Sequence, residues 1–363
     1  MKKVRQSNLE CMRIFLMLSV VVYHLVLYNG VLATEFNPKT LIGLLATSGG
    51  AIVADYAFIC LSAYFLLETK KAPIFTRFFT MAFQILVIYI LRFLVIRGLF
   101  GFHTDNMFLE DMIMKGAWWF GYCYLILLLI YPMLNKMISV SSARMLGVTC
   151  LVLGIWVTVN WLTNQVNLFH DMVMLLFTYF CMGFLKKRRE CGKKCLVQRK
   201  MSLVIIYMFF YLFVLGICIY LKKAPFLDDE QSGLLVTRMI GKYFLVQAVM
   251  GFCVFFFFLQ IAMKQHLWIN RLSKATFFVF LLHETVMGIF WRFGMVDGNT
   301  MMYSSTKVFI IQGMIYIISS FVAGFLVQTL YEKYLQPIIN KLIAVICDTK
   351  VIRILETIYQ KIW

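Results

Sequence analysis

Arg13-Ile-Phe-Leu-Met-Leu-Ser-Val-Val-Val-Tyr-His24 is the stretch whose reading decides the fold class. Ten residues, nearly all apolar, separate an arginine from a histidine. On an α-helix, eleven steps of about 100° bring His24 back to the Arg13 side, roughly 16 Å further along the axis. Arg13 then fits a membrane surface and His24 the middle of a ~30 Å hydrocarbon core. An ionisable group at that depth is costly and marks a pathway or a site. The run is long enough to span, and no signal-peptidase site follows it, so it reads as an uncleaved anchor.

The remaining sequence has the same character. Hydrophobic residues make up 62% of the 363 and charged residues 14%, against about a quarter charged in soluble domains. The mean hydropathy is +0.82. Ten apolar runs read as spans: 11–33, 41–67, 74–98, 118–138, 144–163, 168–186, 201–221, 238–263, 273–293 and 306–331. The expected fold is therefore an all-α integral membrane protein of about ten transmembrane helices.

The formal charge of +18 does not point to nucleic acid, because the basic residues cluster in short loops between the spans. Segments 1–13, 68–77, 135–144, 186–200, 264–274 and 332–363 hold 25 of the 35 Lys and Arg. The positive-inside rule puts these segments, and with them both termini, in the cytosol. Lys186-Lys-Arg-Arg189 with Lys193-Lys194 is the densest cluster and reads first as an anchor beside anionic lipid. Cys11, Cys191, Cys195 and Cys347 fall on the same side, where thiols stay reduced. The Cys191/Cys195 pair lacks a second pair and a nearby histidine, so no metal site is expected. The mixed apolar and basic tail, 336–363, reads as a cytosolic amphipathic helix at the membrane surface.

Five histidines are present. His103 and His170 fall in outside loops and His266 in a cytosolic one. Only His24 and His283 lie within spans. His283 is ten residues into a span that starts at Ser273 on the cytosolic side, about 15 Å deep, which nearly matches His24. Two intramembrane histidines at matched depth suit acyl transfer: a neutral imidazole can take a proton from an attacking hydroxyl or accept the acyl group itself. Arg13, Arg77, Lys70 and Lys71 lie where they could pair with donor phosphates. The chain has no GxSxG elbow, P-loop, HExxH or GxGxxG in a strand–helix context, so hydrolase, ATPase and dehydrogenase readings have no support. Thr47-Ser48-Gly49-Gly50 interrupts the second apolar run and marks close packing or a broken helix. A transporter or flippase is the alternative reading, since many spans with buried histidines also suit substrate passage.

At these residues the chain resembles membrane acyltransferase family 3, the family of bacterial polysaccharide O-acetyltransferases. Asn8-Leu-Glu10-Cys-Met-Arg13 with His24 resembles the family's opening acid, arginine and first-span histidine. Gly49-Gly50 through Asp55, Phe58 and Ser62-Ala-Tyr64-Phe65 resembles its second-span segment. Trp119-Phe120 to Tyr131-Pro132 resembles its tryptophan-to-proline span, and Ser273-Lys-Ala-Thr-Phe277 to His283-Glu284 its late histidine span. Ala63 and Phe280 depart from the usual glycine and tyrosine. The resemblance implies a membrane acyltransferase domain over 1–335 in a bacterial cell membrane. It implies an O-acetyltransferase that uses acetyl-CoA as donor, with no resident cofactor. The acceptor would be a hydroxyl of a surface polysaccharide or its lipid-linked precursor. By resemblance His24 is the catalytic residue and Arg13 its donor-side partner; the expected site adds His283 and Glu284 to the catalytic group, Arg77, Lys70 and Lys71 as donor contacts, and Asp55, Ser62, Tyr64 and Trp119 as acceptor contacts.

Overall fold

A computed structural model describes residues 6–69, 73–100, 118–164, 167–191, 199–292 and 305–362. Among them all regular structure is helical: α1 Ser7–Tyr28, α2 Pro38–Thr47, α3 Ala51–Leu67, α4 Ile74–Phe100, α5 Trp119–Val140, α6 Ala143–Thr163, α7 Leu168–Glu190, α8 Lys200–Lys223, α9 Asp229–Met239, α10 Leu245–Leu259, α11 Leu267–Lys274, α12 Thr276–Arg292, α13 Thr306–Leu330, α14 Gln336–Asp348 and α15 Lys350–Ile362. Lys70, Lys71, His103 and the Lys193-Lys194 part of the basic cluster lie outside the described residues.

Among the described residues, eight helical runs are long and apolar enough to cross a membrane, counting Pro38–Leu67 and Thr306–Asp348 as one run each. The pair Leu267–Lys274 and Thr276–Phe290, bent by 48°, makes up to nine. The expectation of ten spans fails at 238–263. That run breaks between α9 and α10, and α10 has only 15 residues, about 22 Å of helix against a ~30 Å core. The helix that passes 335/336 is unbroken: a π turn at Tyr331–Leu335 links α13 to α14, and the helical run continues to Asp348. The tail then folds against the start of α4. Tyr359 packs edge-on against Phe75 at 5.7 Å, and Glu356 accepts the Ile74 backbone N–H at 3.2 Å.

The bundle is organised around α1 and α3. α3 is buried on nearly every face, as an apolar helix without a polar stripe must be. The outer helices reverse the pattern of a soluble protein. On α6, Met145, Val148, Leu151, Val152, Ile155, Val159 and Leu162 are all exposed, an apolar stripe about 26 Å long that matches lipid.

The Ser48–Gly50 break between α2 and α3 is real, and its freed carbonyls are not left bare. Tyr207 on α8 donates to Gly49 O at 3.1 Å, and Tyr211 donates to Leu45 O at 3.0 Å. Non-helical backbone at membrane depth survives only when protein satisfies it in this way.

Small residues set the helix contacts, as expected where lipid supplies no hydrophobic drive between helices. A Cβ on Gly324 of α13 would stand 2.8 Å from Val279 N and 2.9 Å from its Cα on α12. Backbone cannot yield as a side-chain tip can, so Gly324→Ala should cost about 1–3 kcal/mol. Gly216 on α8 has nothing within 4 Å of the same position, and Gly216→Ala should be neutral or stabilising by up to ~1 kcal/mol. Thermal unfolding of the two variants in detergent reads the difference. Equal midpoints would mean that α12 and α13 are not in backbone contact.

Candidate active site

His24 lies four residues before the last residue of α1, and His283 lies in the middle of α12. Matched depth becomes contact: His24 Nδ1 is 2.6 Å from His283 Nε2. The ring planes differ by 10°, and the centroids, 4.8 Å apart, are farther apart than the two nitrogens. The rings therefore meet edge to edge in one plane, the geometry of an N–H···N hydrogen bond rather than a face-to-face stack.

The helix backbone assigns the protons. His283 Nδ1 lies 2.7 Å from Phe280 O and 3.2 Å from Val279 O. A carbonyl can only accept, so Nδ1 carries hydrogen and donates. In the neutral ring Nε2 is then a lone pair. His24 Nδ1–H donates to that lone pair, which leaves the lone pair of His24 on Nε2. Among the described residues, Nε2 makes no hydrogen bond. This tautomer assignment follows from the network of partners. It makes His24 Nε2 the free basic atom of the pair. His283 is 1% exposed and serves to hold its neighbour.

Two further groups hold His24. Tyr28, one turn on, stacks against its ring with centroids 5.0 Å apart and planes at 6°. The Tyr28 hydroxyl donates to Glu284 Oε1 at 3.0 Å. Glu284 thus acts on His24 through Tyr28, although it follows His283 in sequence. Coordinating atoms of His24, His283 and Glu284 lie within 4.8 Å of one another. The 2.6 Å contact nevertheless suits a shared proton: ~2.0–2.1 Å bonds to a tetrahedral zinc would hold two nitrogens about 3.4 Å apart. Phe280 and Phe120 continue the apolar wall beside His283, with ring centroids 6.2 and 6.1 Å apart along the row.

Arg13 sits on the same helix toward the end where α1 begins. Its Nη1 is 3.3 Å from Glu10 Oε2, and the same carboxylate oxygen accepts from Ser273 Oγ of α11. Glu10 is buried, while Arg13 keeps about a third of its side chain exposed. The start of α1 is clamped further. Ser7 Oγ donates to Asn270 Oδ1 at 3.0 Å and accepts from His266 N–H at 2.9 Å, and Asn8 donates to Phe258 O at 3.0 Å. His266 therefore contributes backbone here, and His170, expected in an outside loop, instead lies in the first turn of the membrane-length helix α7 beneath its Asn167 cap.

The remaining sequence candidates separate. Arg77 is exposed near the start of α4. Ser62 Oγ donates to Phe58 O of its own helix at 2.9 Å, and Tyr64 packs against Phe65 and Phe255. Neither side chain is joined to the histidine pair by these contacts. Trp119 lies under Lys242, whose Nζ is 3.9 Å from the ring centroid. Asp55, half-buried, lies where the charges of Lys242 and Asp171 act on it.

Lys242, Asp171 and Tyr28 are the residues that sequence reasoning passed over. Lys242 and Asp171 each lie inside a run read as a span, and that is the signal for a buried pair. They pair at 3.2 Å.

No curated protein and no solved structure matches the chain. A family model described as an acyltransferase domain matches residues 6–343. That match covers the Glu10–Arg13 pair, both histidines and the break at Ser48–Gly50, and on it the chain belongs to acyltransferase family 3.

Proposed function

We propose that this membrane acyltransferase moves an acetyl group from acetyl-CoA to a hydroxyl of a cell-surface polysaccharide or its lipid-linked precursor. The observation that carries the reading is the hydrogen-bonded chain Phe280 O, His283, His24, which ends in an unengaged imidazole nitrogen inside a lipid-embedded bundle. The basic end of the bundle, where α1 starts, faces the cytosol of a bacterial cell, following the charge bias of the loops. The donor then approaches from the Arg13 side.

His24 Nε2 takes the proton of the acceptor hydroxyl as its oxygen attacks the thioester carbonyl. The resulting imidazolium is stabilised through Nδ1–H···Nε2 of His283 and by the Glu284 carboxylate beyond Tyr28. Collapse of the tetrahedral intermediate breaks the C–S bond. The same proton returns from Nε2 to the departing CoA thiolate, giving the O-acetyl ester and CoA–SH. Purified protein in detergent should consume acetyl-CoA when the cell's surface polysaccharide is added, with no ion gradient. The polysaccharide should gain ester-linked acetyl groups that are missing from cells lacking the protein. A monodisperse protein that leaves acetyl-CoA intact under these conditions returns the chain to a transport role.

Arg13 gives a second test. Lysine keeps the charge but loses the planar fork that grips a phosphate through two bonds. Arg13→Lys should raise the acetyl-CoA KM several-fold and leave the acceptor KM in place, and Arg13→Ala should raise the donor KM further. An unchanged donor KM in Arg13→Lys would leave the residue as a lipid-surface anchor.

A further inference from the structure

The break between α9 and α10 puts Lys242 at the depth of the histidine pair. α1 and α10 pack together and are pinned where Asn8 of α1 meets Phe258 of α10. From Asn8 to His24 is about 24 Å of helix, and from Phe258 back to Leu245 is about 20 Å. Lys242 lies three residues beyond Leu245, level with His24, and its carbonyl meets the hydroxyl of Tyr56, the neighbour of Asp55 on α3.

The loop that carries Lys242 is fixed. Tyr56 Oη donates to Lys242 O at 2.8 Å, Trp161 Nε1 donates to Arg238 O at 3.0 Å, and Gln247 Nε2 donates to Met239 O at 3.2 Å. Its side chain is not committed to the same degree. Lys242 Nζ is 3.2 and 3.4 Å from the two Asp171 oxygens, longer than the ~2.7–2.9 Å of a fully engaged ammonium–carboxylate bond. Asp171 Oδ1, the oxygen nearer Lys242, also accepts from Tyr243 Oη at 2.9 Å. The Asp55 carboxylate makes no hydrogen bond among the described residues. Charged side chains at membrane depth are rare and mark a substrate or ion pathway.

We infer that Lys242 and Asp55, backed by Asp171 and Trp119, form the acceptor subsite beside His24, and that they select a neutral, hydroxyl-rich sugar unit. This rests on the acyl-transfer reading above. The chemistry of the cluster makes the choice. A sugar hydroxyl donates to the Asp55 carboxylate and accepts from the loosely held ammonium. Two carboxylates against one ammonium repel a uronate or phosphate-bearing unit. Arg13, the donor-side cation, stands some 16 Å away along α1, so the two substrates meet the histidine from different directions.

The test uses full-length protein, acetyl-CoA, and surface polysaccharide purified from cells lacking the protein. Lys242→Met and Asp55→Asn should each raise the polysaccharide KM about ten- to a hundred-fold, as the loss of a hydrogen bond to a charged group does. The acetyl-CoA KM should stay within twofold of wild type, and Lys242→Arg should recover most of the loss. Sugar analysis of the product should place the ester on a neutral residue. An unchanged polysaccharide KM, or equal rises for both substrates with a lowered unfolding temperature, would make the cluster structural and overturn the subsite. An ester on an anionic sugar would overturn the selectivity. If wild-type protein consumes no acetyl-CoA, the acyl-transfer reading fails and the subsite falls with it.

Discussion

His24→Ala is expected to cut acyl transfer by about 10²–10⁴, the usual contribution of a positioned general base, while the protein still inserts and folds. The side chain is half-buried, and its bonds to the rest of the bundle run through one ring edge and one stacking face. Truncation therefore removes little packing beside the chemistry. His24→Gln keeps bulk and polarity but has no basic nitrogen, so it should be as inactive as alanine. Turnover of acetyl-CoA at matched protein levels, with the unfolding temperature alongside, decides the matter. Near-normal turnover in either variant would mean that Nε2 is not the base.

The second large effect belongs to His283, and its size should depend on what replaces it. Leucine removes the acceptor for His24 Nδ1–H and frees His24 to rotate or to carry its proton on the wrong nitrogen. In serine proteases a wrong tautomer costs up to ~10⁴ in rate, and a loss of at least about 10² is expected for His283→Leu. Glutamine offers a carbonyl oxygen that can accept the same proton, so His283→Gln should retain more activity than leucine. ¹⁵N spectra of the His24 imidazole should show hydrogen on Nδ1 in wild type and a mixture of tautomers in His283→Leu. If leucine and glutamine are equally active, the His283 contact positions nothing.

Much of this was legible in the sequence because membrane constraints are strong. Arg13 and His24 on one helix, a second histidine at the same depth, and the Ser48–Gly50 interruption could all be read from spacing along helices that have to span. The position of Tyr28 one turn beyond His24 was in view too, but its hydroxyl meets Glu284 across 256 residues, and no local pattern encodes that partner. The break at Ile240–Phe244 was hidden by composition. The flanking run is apolar on both sides, so hydropathy drew one span through it, and Lys242 was passed over inside that span. Ser62 and Tyr64 stand at positions that suit a site; in the structure the Ser62 hydroxyl donates within its own helix and the Tyr64 ring packs on Phe255. Which way a side chain is used depends on neighbours that arrive from distant parts of the chain.

The hydrogen bond between His24 and His283 spans 259 residues, and that separation has a consequence for how the protein is made. At about 5–20 residues per second, the ribosome needs on the order of 10–50 s after His24 has left it before His283 exists. For that interval the first helix sits in the bilayer with its imidazole unmatched, and the pair cannot form until nearly the whole polypeptide has been inserted. Unfinished chains released early thus carry the basic residue without its orienting partner. The cell is spared a half-built acyltransferase at work during synthesis.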